Sequence, residues 1–193
     1  DKGCNEFNRV VCTNKASRRG VVTTDAVRFG GGMGNIERGG YTSGLPRCLE
    51  GARYYAQWAG APYKVYGGRK GENDYADDIN TRSLMTNWLG GGSVYMPAKN
   101  GKHVPIELSL ALHSDAGYNK DGKSTVGALA ICTTDYNDGI LNSGISRFTS
   151  KDFARALRDN LVTDLTAQFG EFGKRYLWDR NYSETRLPEV PSA

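Results

Sequence analysis

The run Pro105-Ile-Glu-Leu-Ser-Leu-Ala-Leu-His113-Ser-Asp-Ala-Gly117 limits the fold more than any other part of the chain. Ile106, Leu108, Leu110 and Leu112 alternate with Glu107, Ser109, Ala111 and His113. That period of two belongs to a strand and not to a helix. Its near-continuous apolar character predicts the central strand of a mostly parallel sheet flanked by helices. His113 closes the strand, just before a polar run. In open α/β sheets, sites form outside the carboxyl ends of strands, so a histidine there is placed to bind a metal or move a proton. The competing reading is a capping histidine bonded to loop backbone.

The rest of the chain supplies a context for that strand. Residues 8–13 and 20–29 read as two strands around the polar turn 14–20, a hairpin that needs a neighbouring β domain for stability. Residues 30–44 form a glycine-rich connector. From residue 45 the texture changes to alternating strands and helices, the mark of an α/β domain. A first helix is expected from Leu45-Pro46, with Leu49, Ala52, Tyr55, Ala56 and Ala59 on one face and Gly60 at its end. Residues 63–66 read as a short strand. Residues 73–89 read as a second helix, with Asp74, Asp77 and Asp78 in the first turns favoured by the dipole. Ile79, Leu84, Met85, Trp88 and Leu89 form its apolar side. A strand over 124–133 and an amphipathic helix over 150–169 follow. That helix carries Phe153, Leu157, Leu161 and Leu165, with Ser150 as N-cap.

Charge and composition exclude several classes. A net charge of +4 is spread along the chain, with no basic stripe interleaved with aromatics, which argues against nucleic-acid binding. No apolar run reaches the length of a membrane span, and no signal peptide opens the chain. Cys4, Cys12, Cys48 and Cys132 contain no Cys-x-x-Cys pair, so a thiolate zinc site is disfavoured. Cys12 and Cys132 sit in apolar strand patterns and read as buried thiols, while the disulfide state of the four stays open. No Gly-x-Ser-x-Gly elbow supports a serine hydrolase. Gly30-Gly-Gly-Met-Gly34 lacks the Gly-Lys-Ser/Thr of a phosphate loop and reads as linker.

The chain has two histidines, so a three-histidine metal site cannot be built from it. His103, flanked by lysines, reads as solvent-exposed. Glu50 sits early on the first helix, among Leu49, Ala52 and two tyrosines. A helix that follows a strand starts at the same edge of the sheet where the next strand ends. Glu50 and His113 could therefore meet on one metal ion, leaving room for a further ligand and water. The alternative is a surface glutamate exploiting the helix dipole.

From residue 45 to 193 these motifs resemble the catalytic domain of zinc-dependent N-acetylmuramoyl-L-alanine amidases. Leu-Glu50-Gly-Ala-Arg-Tyr-Tyr is similar to that family's first helix, whose glutamate binds zinc. Asp78-Ile-Asn-Thr-Arg82-Ser-Leu-Met-Thr-Asn87 looks like its Asp/Leu-x-x-Arg-x-x-x-x-Asn helix. Leu110-Ala-Leu-His113-Ser-Asp-Ala116 looks like its strand end, where the histidine is a zinc ligand. Residues 1–34 resemble the end of a golvesin C-terminal-like β domain, closing on Val22-Thr-Thr-Asp25-Ala-Val-Arg-Phe29. The pairing looks like that in large secreted Bacteroidetes proteins often labelled xanthan lyases. The resemblance implies an amidase-like α/β fold with an N-terminal β-hairpin from a neighbouring domain, Zn2+ on Glu50 and His113, peptidoglycan or another cell-surface glycan as partner, and a secreted, periplasmic or cell-surface location.

Two family features have no counterpart here. The family's first zinc ligand is a histidine in a Gly-His-Gly-Gly turn, but no histidine precedes Glu50, and Arg28-Phe29-Gly30-Gly31 is nearest in texture. The family's catalytic glutamate follows a stretch like Val-Pro-Ala-Val-Leu-Val-Glu, which places it beyond Ala193. The chain is therefore expected to be an internal fragment of a larger protein, inactive alone, with a third zinc ligand and a general-base glutamate outside it. A polysaccharide lyase, or a non-catalytic module binding cell wall or glycan, are the alternatives.

Overall fold

The computed structural model describes residues 13, 15, 50–70, 72–114, 117 and 119–193. The chain divides into two units, residues 1–33 and 34–193. In the first, Thr13 and Lys15 are described, the Lys15 amide donating to Thr13 Oγ1 at 3.2 Å. The rest of the expected hairpin, the connector and the Leu45-Pro46 helix start lie outside the described residues.

In the second unit the order is α1 (Ala52–Trp58), α2 (Tyr63–Tyr66), α3 (Asp74–Gly90), β1 (Ala128–Cys132), α4 (Phe148–Phe169), β2 (Lys174–Asp179) and α5 (Ser183–Arg186). A 3-10 turn, Asn137–Gly139, precedes α4. The architecture is α/β. β1 and β2 pair in parallel, Ala130 opposite Leu177 and Cys132 opposite Asp179. Parallel strands cannot be joined by a tight turn, and the 22-residue α4 provides the crossover and packs on both strands. Its Ala154 is fully buried, Phe153, Leu157 and Leu165 are half-buried, and Leu161 is exposed. The helix begins earlier than Ser150, because Ser146 satisfies the first amides through its hydroxyl (Phe148 N, 3.2 Å) and its carbonyl (Thr149 N, 3.1 Å). Ser150 is thus inside the helix and not its cap; its buried Oγ accepts from Ser192 N at 3.1 Å.

α1, α2 and α3 form a separate cluster. Ala56, Ala61, Val65 and Tyr66 are its apolar centre, with Leu84, Met85 and Trp88 of α3 packed against them. Residues 63–66 are helical and not a strand. Val65 N donates to Pro62 O at 2.8 Å and Gly67 N to Tyr63 O at 2.7 Å, closing one turn that buries Val65 and Tyr66. Four residues are too few for periodicity to separate the two conformations. On α1 the buried face is Arg53, Ala56 and Gln57, while Tyr55 and Ala59 of the expected apolar face are exposed. Tertiary polar contacts override the apolar pattern there. Arg53 Nε donates to Tyr66 O at 2.9 Å and lies 4.0 Å from Asp77 Oδ2, and both side chains are almost fully buried. Asp77 also accepts from Arg69 N at 2.6 Å. α3 starts as expected, with Asn73 Oδ1 accepting from Ala76 N at 2.9 Å.

Residues 106–113 form no regular strand: Ser109 alone makes a bridge, and the segment is not the centre of a sheet among the described residues. Their ladder is one-sided and short: Ser109 N donates to Pro191 O, Ala193 N to Ser109 O and Ala111 N to Ala193 O, each at 3.0–3.1 Å, in parallel. Leu108, Leu110 and Leu112 are 49%, 55% and 84% exposed. Alternation marks the conformation of a segment, whereas its place in a sheet depends on which elements cover its two faces. No helix among the described residues is long and apolar enough to cross a membrane.

Removing one partner of a buried ion pair leaves the other charge uncompensated. Asp77→Ala should therefore lower unfolding stability by about 3–5 kcal/mol. Asp152→Ala, which removes the exposed i,i+3 pair with Arg155 on α4, should cost less than about 1 kcal/mol. Urea unfolding midpoints compare the two, and equal losses would reject the Arg53–Asp77 pair as the joint between α1 and α3.

Candidate functional site

Glu50 precedes α1, whose N-cap is Gly51. The anion at the start of this helix is Asp78 of α3, whose Oδ1 accepts from Arg53 N at 2.9 Å. Its carboxylate lies where a Cβ on Gly51 would project, with Cγ 2.9 Å from that point, so any side chain at 51 would displace the carboxylate from the Arg53 amide. Asp78 thus takes the dipole-complementing role offered for Glu50 as a surface residue. Glu50 is not on the surface, being only 9% exposed.

His113 stands exposed two residues beyond the last ladder bond, that of Ala111. Asp115, Ala116 and Tyr118 after it lie outside the described residues. His103 is exposed, as expected, with φ +61°, and its Nδ1 lies 3.1 Å from Gly92 O. Among the described residues no group of three or more His, Cys, Asp or Glu side chains is arranged to hold a metal ion. The carboxylate and imidazole of Glu50 and His113 are donors that Zn2+ accepts, so the pair fits the metal in type and falls short of three ligands.

The residues 187–193 that run beside 109–111 are held by side chains remote in sequence. Asn87 brackets them, its Nδ2 donating to Leu187 O at 2.8 Å and its Oδ1 accepting from Glu189 N at 3.0 Å. Glu189 Oε1 lies 3.2 Å from Lys99 Nζ, and its Oε2 lies 3.9 Å from Arg147 Nη2. Arg147 is fully buried, with its guanidinium 5.2 Å from the centre of the Tyr136 ring. Burial lowers its pKa, opposed by Glu189 and Tyr136. Arg82 pairs with Glu184 at 3.1 Å. Asp78, Arg82 and Asn87, singled out in the sequence as one motif, therefore each fasten α3 to a different segment. Arg147 and Glu189 carried no spacing signal that could have marked them.

At the carboxyl ends of β1 and β2 the polar groups bond to one another. Thr133 Oγ1 donates to Arg180 O at 2.6 Å, and Thr134 donates to the Asp179 carboxylate through its amide (3.0 Å) and hydroxyl (2.6 Å). Cys132 is fully buried and not in a disulfide, as its apolar context implied. Burial first, then the charge of Asp179, pushes its thiol up to about 11, so it is no nucleophile at neutral pH. The chain matches no family model, no curated protein and no solved structure.

In the native protein, iodoacetamide at mildly alkaline pH should leave the Cys132 peptide unmodified while modifying it in concentrated urea, as read by mass spectrometry. The raised thiol pKa favours the folded state below the ordinary thiol value of about 8.5. That contribution is lost as pH rises from there through about 11. Cys132→Ala should therefore flatten the alkaline decline in stability, and rapid native labelling would contradict the burial of the thiol.

Proposed function

We propose that the chain is part of a zinc-dependent N-acetylmuramoyl-L-alanine amidase, with the amidase-like fold implied by its motifs. In this reading Glu50 and His113 hold the metal together with a histidine outside the chain. The observation that carries the proposal is the chemistry of the two donors, a buried carboxylate immediately before α1 and an imidazole two residues past the 109–111 ladder, both of types that Zn2+ accepts.

A bound Zn2+ would supply Lewis-acid activation of the amide carbonyl and of a water. The imidazole of His113, exposed at the segment end, would be accessible to an ion and to a polymeric substrate. The general base, which becomes the acid toward the leaving amine, is assigned to a glutamate following Ala193. The parallel ladder supports that assignment, because residues 191–193 run in the same direction as 109–111, toward the end where His113 lies. Asn87 and Ser150 are positioning residues in this scheme, since they set the path of 187–193.

With two protein ligands the chain by itself should bind Zn2+ weakly and release no peptide from muropeptides. Titration calorimetry should show Glu50→Gln and His113→Ala each losing more than the about 10–100-fold typical of an outer-shell change. A longer protein containing this chain should release stem peptides, be inhibited by chelator and lose activity on His113→Ala. Unsaturated uronate from an acidic polysaccharide, formed without peptide release and indifferent to chelator, would replace this reading with a lyase.

A further inference from the structure

An open groove of about 270 Å3 lies between α3 and the turn entering α5. One wall is the α3 face carrying Tyr75, Ile79 and Asn80, which fall at i, i+4 and i+5 on the helix. The other carries Tyr182 and Arg186, and Arg69 also borders the space. The walls are fastened together by the Arg82–Glu184 pair and by Ser83 Oγ donating to Ser183 O at 3.2 Å.

The lining has a definite chemistry. Tyr75 is 78% exposed and Tyr182 41%, so both side chains reach solvent. Arg186 is held in place, its Nη1 donating to Asn181 Oδ1 at 2.9 Å and its guanidinium 5.7 Å from the Tyr136 ring centre. Arg69 is positioned through its amide, which donates to buried Asp77. No described residue lining the groove is acidic, and Arg69 and Arg186 are its two charged members.

We propose that this groove binds a pyranose bearing a carboxylate, one residue of a glycan chain. Tyrosine faces and Ile79 suit the C–H face of a sugar ring, while the Asn80 amide can both donate to and accept from hydroxyls. Arginine forks match a carboxylate in two-point geometry and are the side chains suited to that task. The volume sits just under the about 300–1,000 Å3 of small-molecule sites, and the groove is open, so one ring fits while its polymer continues into solvent. Two sources present this chemistry: a uronate in an acidic polysaccharide, or a muramic acid freed of its peptide. The groove goes beyond the metal reading and uses neither Glu50 nor His113.

Titration calorimetry on this chain, with chelator present to remove any dependence on metal, tests it with three probes. They are a galacturonate trisaccharide, the free-acid disaccharide of N-acetylglucosamine and N-acetylmuramic acid, and neutral chitotriose. At least one acid should bind about tenfold or more tighter than chitotriose, and more weakly as salt rises. Binding of the first acid alone assigns the acidic polysaccharide, and of the second alone the denuded cell-wall glycan. Arg69→Gln and Tyr75→Ala, both at exposed positions, should each weaken binding about tenfold, with circular dichroism confirming intact folding. The proposal is overturned if neither acid binds, if chitotriose binds equally, if both variants bind like the parent, or if inorganic phosphate competes as well as the saccharide.

Discussion

The helical half of the described chain is organised around one carboxylate. Asp77 faces Arg53 across the interface of α1 and α3 and accepts the Arg69 amide. Arg53 in turn reaches the Tyr66 carbonyl at the end of α2. Three helices are joined through two side chains, each with almost no solvent exposure. The pair also sets two places with chemical consequences. It orients the helix that Glu50 precedes, and it fixes the backbone of Arg69 beside the groove.

A polar joint of this kind follows from how little apolar surface these helices offer. The buried apolar centre consists of two alanines, a valine and a tyrosine, completed by three half-buried side chains from α3. The inward side of α3 also carries Asp77, Thr81, Ser83 and Asn87, all buried. Hydrophobic burial is non-directional, so a core this small can be satisfied by several helix arrangements. Hydrogen bonds with defined geometry separate those arrangements more sharply. A buried ion pair is weak evidence of net stability, yet breaking it is costly, and that asymmetry penalises every arrangement that separates the partners.

The parts of the fold legible in the sequence were those whose signal is local. Helix α3 announced itself by the aspartates of its first turns and an apolar side, and α4 by four-residue spacing that the structure extends two residues toward its start. β1 fell within its expected range. The turn of α2 was misread because four residues cannot display a period. Strand β2 went unread because Lys174–Asp179 mixes charged and aromatic residues, its alternation being carried by Tyr176 and Trp178. At the candidate site the two residue types were readable, since carboxylate and imidazole chemistry is intrinsic to the side chain. The partners were not. Asp78 reaches α1 across 25 residues and Asn87 reaches Glu189 across 102, and no window of sequence displays such pairs.

The same long-range bonds explain why residues 109–111 and 191–193 share a ladder although no other strand among the described residues extends it. A parallel pair contributes little by itself, and its register slips easily unless something outside the sheet sets it. Here the register is set from both sides. Asn87 brackets Leu187 and Glu189 ahead of the ladder, and Ser150 of α4 accepts the Ser192 amide within it. Glu189 adds an electrostatic anchor between Lys99 and buried Arg147. The final residues are thus placed by α3, by α4 and by the loop that carries Lys99, ahead of any contribution from apolar contact. That is why a segment with its leucines exposed can still hold a defined parallel partner beside the approach to His113.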